Sequence, residues 1–174
     1  MVFPRMALVR SIARQNKFLH WELEFADVFK ERGGMSLEIG NPPWVKMEWN
    51  EQSILGDKNP MFAVKKLTAM QTTREREKAL QDTATYDHYL EDYEMIAGQQ
   101  NFLNAFTNYP LLKGQKTNLY KCFLPLSFST ISQRKEQEGI AAFVHPEGVF
   151  DDPNGGALRE NLYGRLRTRF AFSN

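Results

Sequence analysis

Two consecutive prolines, Pro42 and Pro43, stand directly behind a short, mainly apolar run at residues 35–40. Neither proline offers an N–H to a ladder, so a strand formed by that run must stop at Asn41. Gly33-Gly34 breaks the chain on the other side, because glycines do not continue a helix cheaply. A second run, Ile140-Ala141-Ala142-Phe143-Val144, restarts after Gly139 and is ended by His145-Pro146. Wholly apolar runs of this length are characteristic of strands buried on both faces of a parallel sheet.

The segments around these runs are predicted mostly helical. Ala7, Leu8, Ser11 and Ile12 sit at helical spacing within residues 1–15. In residues 18–25, Leu19, Trp21, Leu23 and Phe25 alternate with His20, Glu22 and Glu24, which predicts a strand, followed by a short helical segment at 25–30. Residues 59–98 are rich in helix formers and predict a helical hairpin bending near 82–85; a further short helix at 101–108 is stopped by Pro110. Thr117 or Asn118 can cap a helix to about Arg134, kinked at Pro125. Asp151, Asp152 or Asn154 can cap a last helix from about Gly156 to Arg169, and Phe170 opens another strand. Strand, helices, strand, helix, strand is the order of an α/β layer with a parallel sheet.

With 174 residues, 42% of them apolar, the chain can bury one ordinary core, and a single domain is expected. Net charge +1 gives no global electrostatic signal for nucleic acid, so DNA binding would need a local patch or further segments. The single cysteine, Cys122, excludes an internal disulfide framework and suits a reducing, cytoplasmic compartment. No apolar run approaches the roughly 20 residues of a membrane span. The Arg-rich, acid-free start, with Arg5, Arg10 and Arg14, is compatible with a presequence but reads more simply as an amphipathic helix of the domain.

In open α/β sheets ligands bind beyond the carboxyl ends of the strands. Both strand ends here carry unusual polar sequences, Asn41-Pro42-Pro43-Trp44 and His145-Pro146-Glu147-Gly148. A right-handed crossover tends to make such strands neighbours, so the two ends are expected to line one cleft. A stiff Pro-Pro turn can aim the Asn41 side-chain carbonyl and the Pro42 backbone carbonyl at one point. Two convergent acceptors suit an amino group such as adenine N6, whose lone pair is drawn into the ring, and stabilise the positive charge that develops as a methyl group arrives. Trp44 offers a flat face for the base; such stacking is worth roughly 1–3 kcal/mol, comparable with the cost of flipping a base out of the duplex.

These residues resemble a known family. Asn-Pro-Pro followed by an aromatic, behind a strand, is the catalytic motif of DNA adenine-N6 methyltransferases. Residues 18–25 and Ile39-Gly40-Asn41-Pro42-Pro43-Trp44-Val45-Lys46 look like the large type IIG restriction-modification methylases and related phage-defence enzymes. Asn118-Leu119-Tyr120-Lys121-Cys122-Phe123-Leu124 resembles that fold's helix against the adenine moiety of S-adenosylmethionine, and residues 139–152 resemble its next strand and helix. The resemblance implies a partial Rossmann-like class I methyltransferase fold, mainly parallel, with a helical insertion at about 59–112. It implies Asn41, Pro42, Pro43 and Trp44 as catalytic, Asn118, Tyr120 and Phe123 at the cofactor, and Lys46, His145 and Glu147 as substrate contacts. S-adenosylmethionine is the implied cofactor and double-stranded DNA the implied partner, in a restriction-modification or phage-defence system. The family's glycine-rich cofactor turn and acidic strand end, its segment supporting the flipped base and its target-recognition domain are not in this sequence. The chain alone is therefore expected to be inactive, completed by other segments or subunits, and poorly soluble.

Plainer readings stand beside these. Asn-Pro also marks ordinary strand-ending turns, and Trp44 alone would more often be core. His20, His88 and His145 lack partners at zinc-ligand spacing, and Asp151-Asp152-Pro153-Asn154-Gly155-Gly156 lacks the pattern of a calcium loop. Arg159, Arg165, Arg167 and Arg169 suit phosphates or a solvated helix face equally. The same Asn-Pro-Pro-aromatic chemistry serves methyltransferases of protein glutamine or RNA amino groups, and a split gene product could persist as a non-catalytic binding or assembly module.

Overall fold

The computed structural model describes residues 3–65, 67–116, 118–167 and 169–170. In chain order its elements are α1 (Pro4–Asn16), α2 (Trp21–Glu24), α3 (Ala26–Arg32), β1 (Leu37–Gly40), α4 (Glu51–Lys58), α5 (Met61–Val64), α6 (Ala69–Ala79) and α7 (Thr83–Asn104). A 3-10 turn (Pro110–Leu112), α8 (Leu119–Thr130), β2 (Gln133–Arg134), β3 (Gln137–Glu138), β4 (Ile140–Phe143), α9 (Gly148–Asp151) and α10 (Gly156–Tyr163) follow. They fall into two compact units, Met1–Asn41 with Leu126–Val144, and Pro42–Pro125 with His145–Asn174. The mixed α/β composition agrees with the sequence reading.

The first unit is built on β1 and β4, which pair in parallel, Leu37 opposite Ile140 and Gly40 opposite Phe143. Just before them, Met35 is clasped by the turn after α8: its N–H donates to the Thr130 carbonyl and its carbonyl accepts from the Ser132 N–H, both at 2.8 Å. Gly139 makes this possible, since a Cβ there would lie 2.3 Å from the Met35 carbonyl oxygen and 2.8 Å from Ser132 N. Backbone atoms that close cannot swing aside. Gly139→Ala is expected to destabilise the unit by more than about 1 kcal/mol, read as a lower thermal midpoint. The open carbonyls at the end of α3 are covered from the same hairpin: Ser132 Oγ donates to Arg32 O at 2.8 Å and the Arg134 guanidinium to Glu31 O and Lys30 O.

Three expectations fail in this unit. Residues 18–25 do not form a strand; Trp21–Glu24 is a helical turn in which Trp21 and Phe25, four apart, stack with centroids 5.7 Å apart. Period two and a single helical turn are hard to separate over so few residues, and among the described residues β1 and β4 pair only with each other. The strands are not buried on both faces: exposed and half-buried residues alternate along each, and Ile39 keeps 77% of its surface exposed. The helix expected to reach Arg134 ends at Thr130, because Gln133 and Arg134 pair with Gln137 and Glu138 in a small hairpin.

In the second unit α4, α6 and α7 start on side-chain caps. Asn50 accepts from Ser53 N at 3.1 Å, Thr68 and Gln71 form a reciprocal capping box, and Asp82 accepts from Thr85 N at 2.9 Å. Glu51 on α4 pairs with Arg76 on α6 at 2.9 Å and accepts from Tyr89 OH on α7 at 2.7 Å, so one carboxylate ties three helices. Its charge and Tyr89's burial push the phenol up to about 12, burial being the larger cause. The bend at 82–85 is present, but no break follows: α7 runs through Gly98 to Asn104, so residues 101–104 of the expected separate helix are its last turn and 105–108 are a non-helical turn. α4 lies outside the expected elements. The final helix ends at Tyr163, not near Arg169, and starts without a side-chain cap at Gly155, because Asp152 accepts from Asn154 N and Lys121 instead. Leu158, Val149, Leu55 and Phe62 are among the buried apolar residues. The strand expected from Phe170 falls almost wholly outside the described residues.

Candidate functional site

Asn41 leaves β1 at its carboxyl end, in the first unit. The parallel register sets Gly40 opposite Phe143, and the Val144 N–H donates to the Gly40 carbonyl at 3.0 Å. Asn41 and Val144 therefore emerge side by side, as neighbouring parallel strands require, and Asn41 is exposed. Three residues upstream, Glu38 is half-buried; its Oε1 is buried with no hydrogen-bond partner. Burial raises its pKa, and a hydrogen bond with Thr130 opposes the rise. Nothing in the sequence separates Glu38 from an ordinary solvent-facing strand glutamate; its hydrogen-bond partner Thr130 lies about ninety residues later.

The rest of the motif lies in the second unit. Pro42 is buried and Pro43 exposed, while Trp44 keeps 54% of its surface accessible. The next residues pair with the start of α8: the Leu119 N–H donates to the Val45 carbonyl at 3.0 Å, and Lys46 faces Asn118 in an antiparallel bridge. The block after the prolines and the block assigned to the cofactor are thus in direct contact. Residues 145–150 reach α8 through rings. His145 stacks on Tyr120 with centroids 5.7 Å apart and planes within 9°, and Phe150 lies 6.1 Å from His145. His145 Nδ1 is 2.8 Å from the Pro146 carbonyl, which requires its proton on that nitrogen.

These contacts redistribute the expected roles. His145 is half-buried and held by the stack, and Glu147 forms an ion pair with Arg169; both candidate substrate contacts have partners within the chain. Lys46 stays exposed at the edge of a groove of about 620 Å³, also lined by Glu48, Trp49, Gln52 and Thr72. Tyr120 is buried, and burial, followed by the Asp152 charge, raises its pKa. Phe123 is half-buried.

The cofactor residues fit S-adenosylmethionine only at an edge. Asn118 Oδ1 is a buried acceptor with no partner, suited to an adenine amino group. The cavity it borders with Leu103, Gln115 and Cys122 is only about 10 Å³, room for about one water and far too small for the cofactor.

Lys121 was not foreseen. It is buried, pairs with Asp152 and donates to Gln115 Oε1 at 3.1 Å, and this pairing, above all, lowers the Asp152 pKa. Arg159 also departs from the basic run in which the sequence places it: it turns inward and donates to the Val149 and Asp152 carbonyls. Among the described residues no group of three or more His, Cys, Asp or Glu could hold a metal, and no helix is long and apolar enough to cross a membrane. Comparison with known protein families, curated proteins and solved structures finds no match.

Proposed function

We propose that this chain carries the target-base part of an adenine-N6 DNA methyltransferase. The observation that carries the reading is the parallel pairing of β1 with β4, which leaves Asn41 at the carboxyl edge of the sheet, where open α/β sheets bind ligands. The contact between residues 45–46 and the start of α8 adds support, since the resemblance assigns those blocks to base and cofactor.

In this reading the Asn41 side-chain carbonyl and the Pro42 backbone carbonyl accept from the two hydrogens of adenine N6. They fix its position and favour the charge that grows on nitrogen. Trp44, more than half exposed, stacks on the flipped base. Pro42 and Pro43 hold the turn rigid, so neither acceptor has to reorganise. S-adenosylmethionine supplies the methyl group; Asn118 accepts from its adenine amino group, and further segments of the enzyme hold the remainder. Positioning would matter more than a dedicated general base: as the N–C bond forms, the sulfonium's S–C bond would break to leave S-adenosylhomocysteine, and the methylated nitrogen would then lose one proton to solvent. His145, stacked on Tyr120, and Glu147, paired with Arg169, stand at the end of β4 as the further candidate substrate contacts.

Mass spectrometry of DNA from cells expressing the complete enzyme tests the assignment. N6-methyladenine is the expected product. Unmodified DNA together with methylated glutamine in host protein, or methylated RNA amino groups, overturns it.

A further inference from the structure

The groove beside Lys46 is built wholly from the second unit and holds about 620 Å³. Most polar side chains along it are already engaged within the chain. Asn50 caps α4, Glu51 pairs with Arg76 and accepts from Tyr89, and Gln52 donates to Thr72 at 3.2 Å. Lys46 and Glu48 differ from these. Both are exposed, they do not pair with each other, and neither side chain has another partner among the described residues. Two charges of opposite sign thus stand on one groove, each without a countercharge.

The segment that carries them is pinned to α7. Trp49, half-buried in the groove wall, meets the rings of Tyr89 and Tyr93 edge to face, with centroids 5.1 and 5.2 Å away and planes at 90° and 83°. The Gln100 side chain, on the same helix, donates to the Met47 carbonyl at 2.5 Å. Glu48 is therefore held from both neighbours, and neither tyrosine lies parallel to the indole.

A ligand that answers this set needs an acceptor for the ammonium, adjacent donors for the carboxylate and a flat body for the indole. An aliphatic zwitterion satisfies the charges and leaves the indole unused. Nucleobases are flat, and on the Watson–Crick edge only guanine sets an acceptor, O6, beside two adjacent donors, N1–H and N2–H. A carboxylate accepts two parallel donors in a fork, as it does from a guanidinium. Every other base presents one donor group on that edge and leaves one carboxylate oxygen unanswered.

We propose that this groove is a guanine-binding site, in which Glu48 accepts from N1–H and N2–H, Lys46 donates to O6 and the base lies against Trp49. The site uses neither Asn41 nor Trp44 and does not depend on the methyltransferase reading. A free guanine nucleotide and an unpaired guanine in a strand present the same edge.

Calorimetric titration of the full chain with guanosine, inosine, adenosine, cytidine and uridine 5′-monophosphates tests the assignment. Guanosine monophosphate should bind about ten- to a hundredfold more tightly than inosine monophosphate, which lacks only the N2 amino group, and should lead the other three by at least as much. Glu48→Gln should abolish that lead, and Lys46→Ala should weaken guanosine and inosine monophosphates alike. Glu77→Gln, an exposed charge of α6 outside the groove, should bind as the wild type does. A thymidylate oligomer with one central guanine identifies the source: tighter binding of the oligomer assigns the site to a strand, tighter binding of the mononucleotide to a free nucleotide. No binding of either guanine probe, equal affinity for guanosine and adenosine monophosphates, or an undiminished guanine preference in Glu48→Gln would each overturn the proposal.

Discussion

Replacing Asn41 by alanine is expected to lower N6-adenine methylation by the complete enzyme at least about a hundredfold while leaving DNA affinity unchanged. In the proposed reading the change removes one of two acceptors for the amino group, and loss of one preorganised polar group at a reacting centre costs about 10²–10³ in rate. Because Asn41 is exposed at a strand end, the fold should not register the loss. Asn41→Asp keeps an acceptor and should retain part of the rate. The measurement is N6-methyladenine formed on duplex DNA, with anisotropy to confirm binding. Methylation that survives Asn41→Ala removes the residue, and the reading built on it, from consideration.

The largest expected effect on stability lies at Lys121. Its ammonium is buried against Asp152 and Gln115, and the pair joins α8 to the turn between α9 and α10. Lys121→Met would leave a mostly buried carboxylate with only the Asn154 N–H and the Arg159 charge to offset it, at a cost of up to about 3–5 kcal/mol. For a chain of this size that is about 6–20 °C in thermal midpoint. Adding Asp152→Asn removes the stranded charge and should restore most of the loss; failure to do so would show that Lys121 contributes through packing alone. The acid response carries the same signature. With its pKa lowered in the folded state, Asp152 contributes stability that is present above the ordinary carboxylate range and lost as pH falls through the lowered value. In Lys121→Met this contribution should shrink, because the largest cause of the lowered pKa is gone while the Asn154 N–H and the Arg159 charge still favour the carboxylate.

Local rules made much of this legible. The breaks at Gly33-Gly34 and Pro42-Pro43 delimit β1, the apolar run after Gly139 is β4, and their parallel pairing followed from crossover geometry alone. What escaped the sequence depends on partners distant along the chain. The alternation at 18–25 is compatible with a strand until one asks for a neighbour, and Trp21 finds Phe25 on its own helical turn instead. Asp152 is an apt helix cap by position, yet Lys121, about thirty residues earlier, claims it first. His145 and Glu147 carry the right chemistry for a substrate, and only the ring of Tyr120 and the guanidinium of Arg169 reveal that both are engaged internally. Asn41, by contrast, was legible because two prolines leave the backbone few alternatives.

The pairing of β1 with β4 also sets a clock on synthesis. Leu37 meets Ile140, about a hundred residues later, and at 5–20 residues per second the ribosome needs roughly 5–20 s to deliver that partner. Throughout this interval β1 is translated but unpaired, and the helices of the second unit, whose contacts are more local, are free to form first. The segment that places Asn41 thus waits for its strand partner while about a hundred further residues are made.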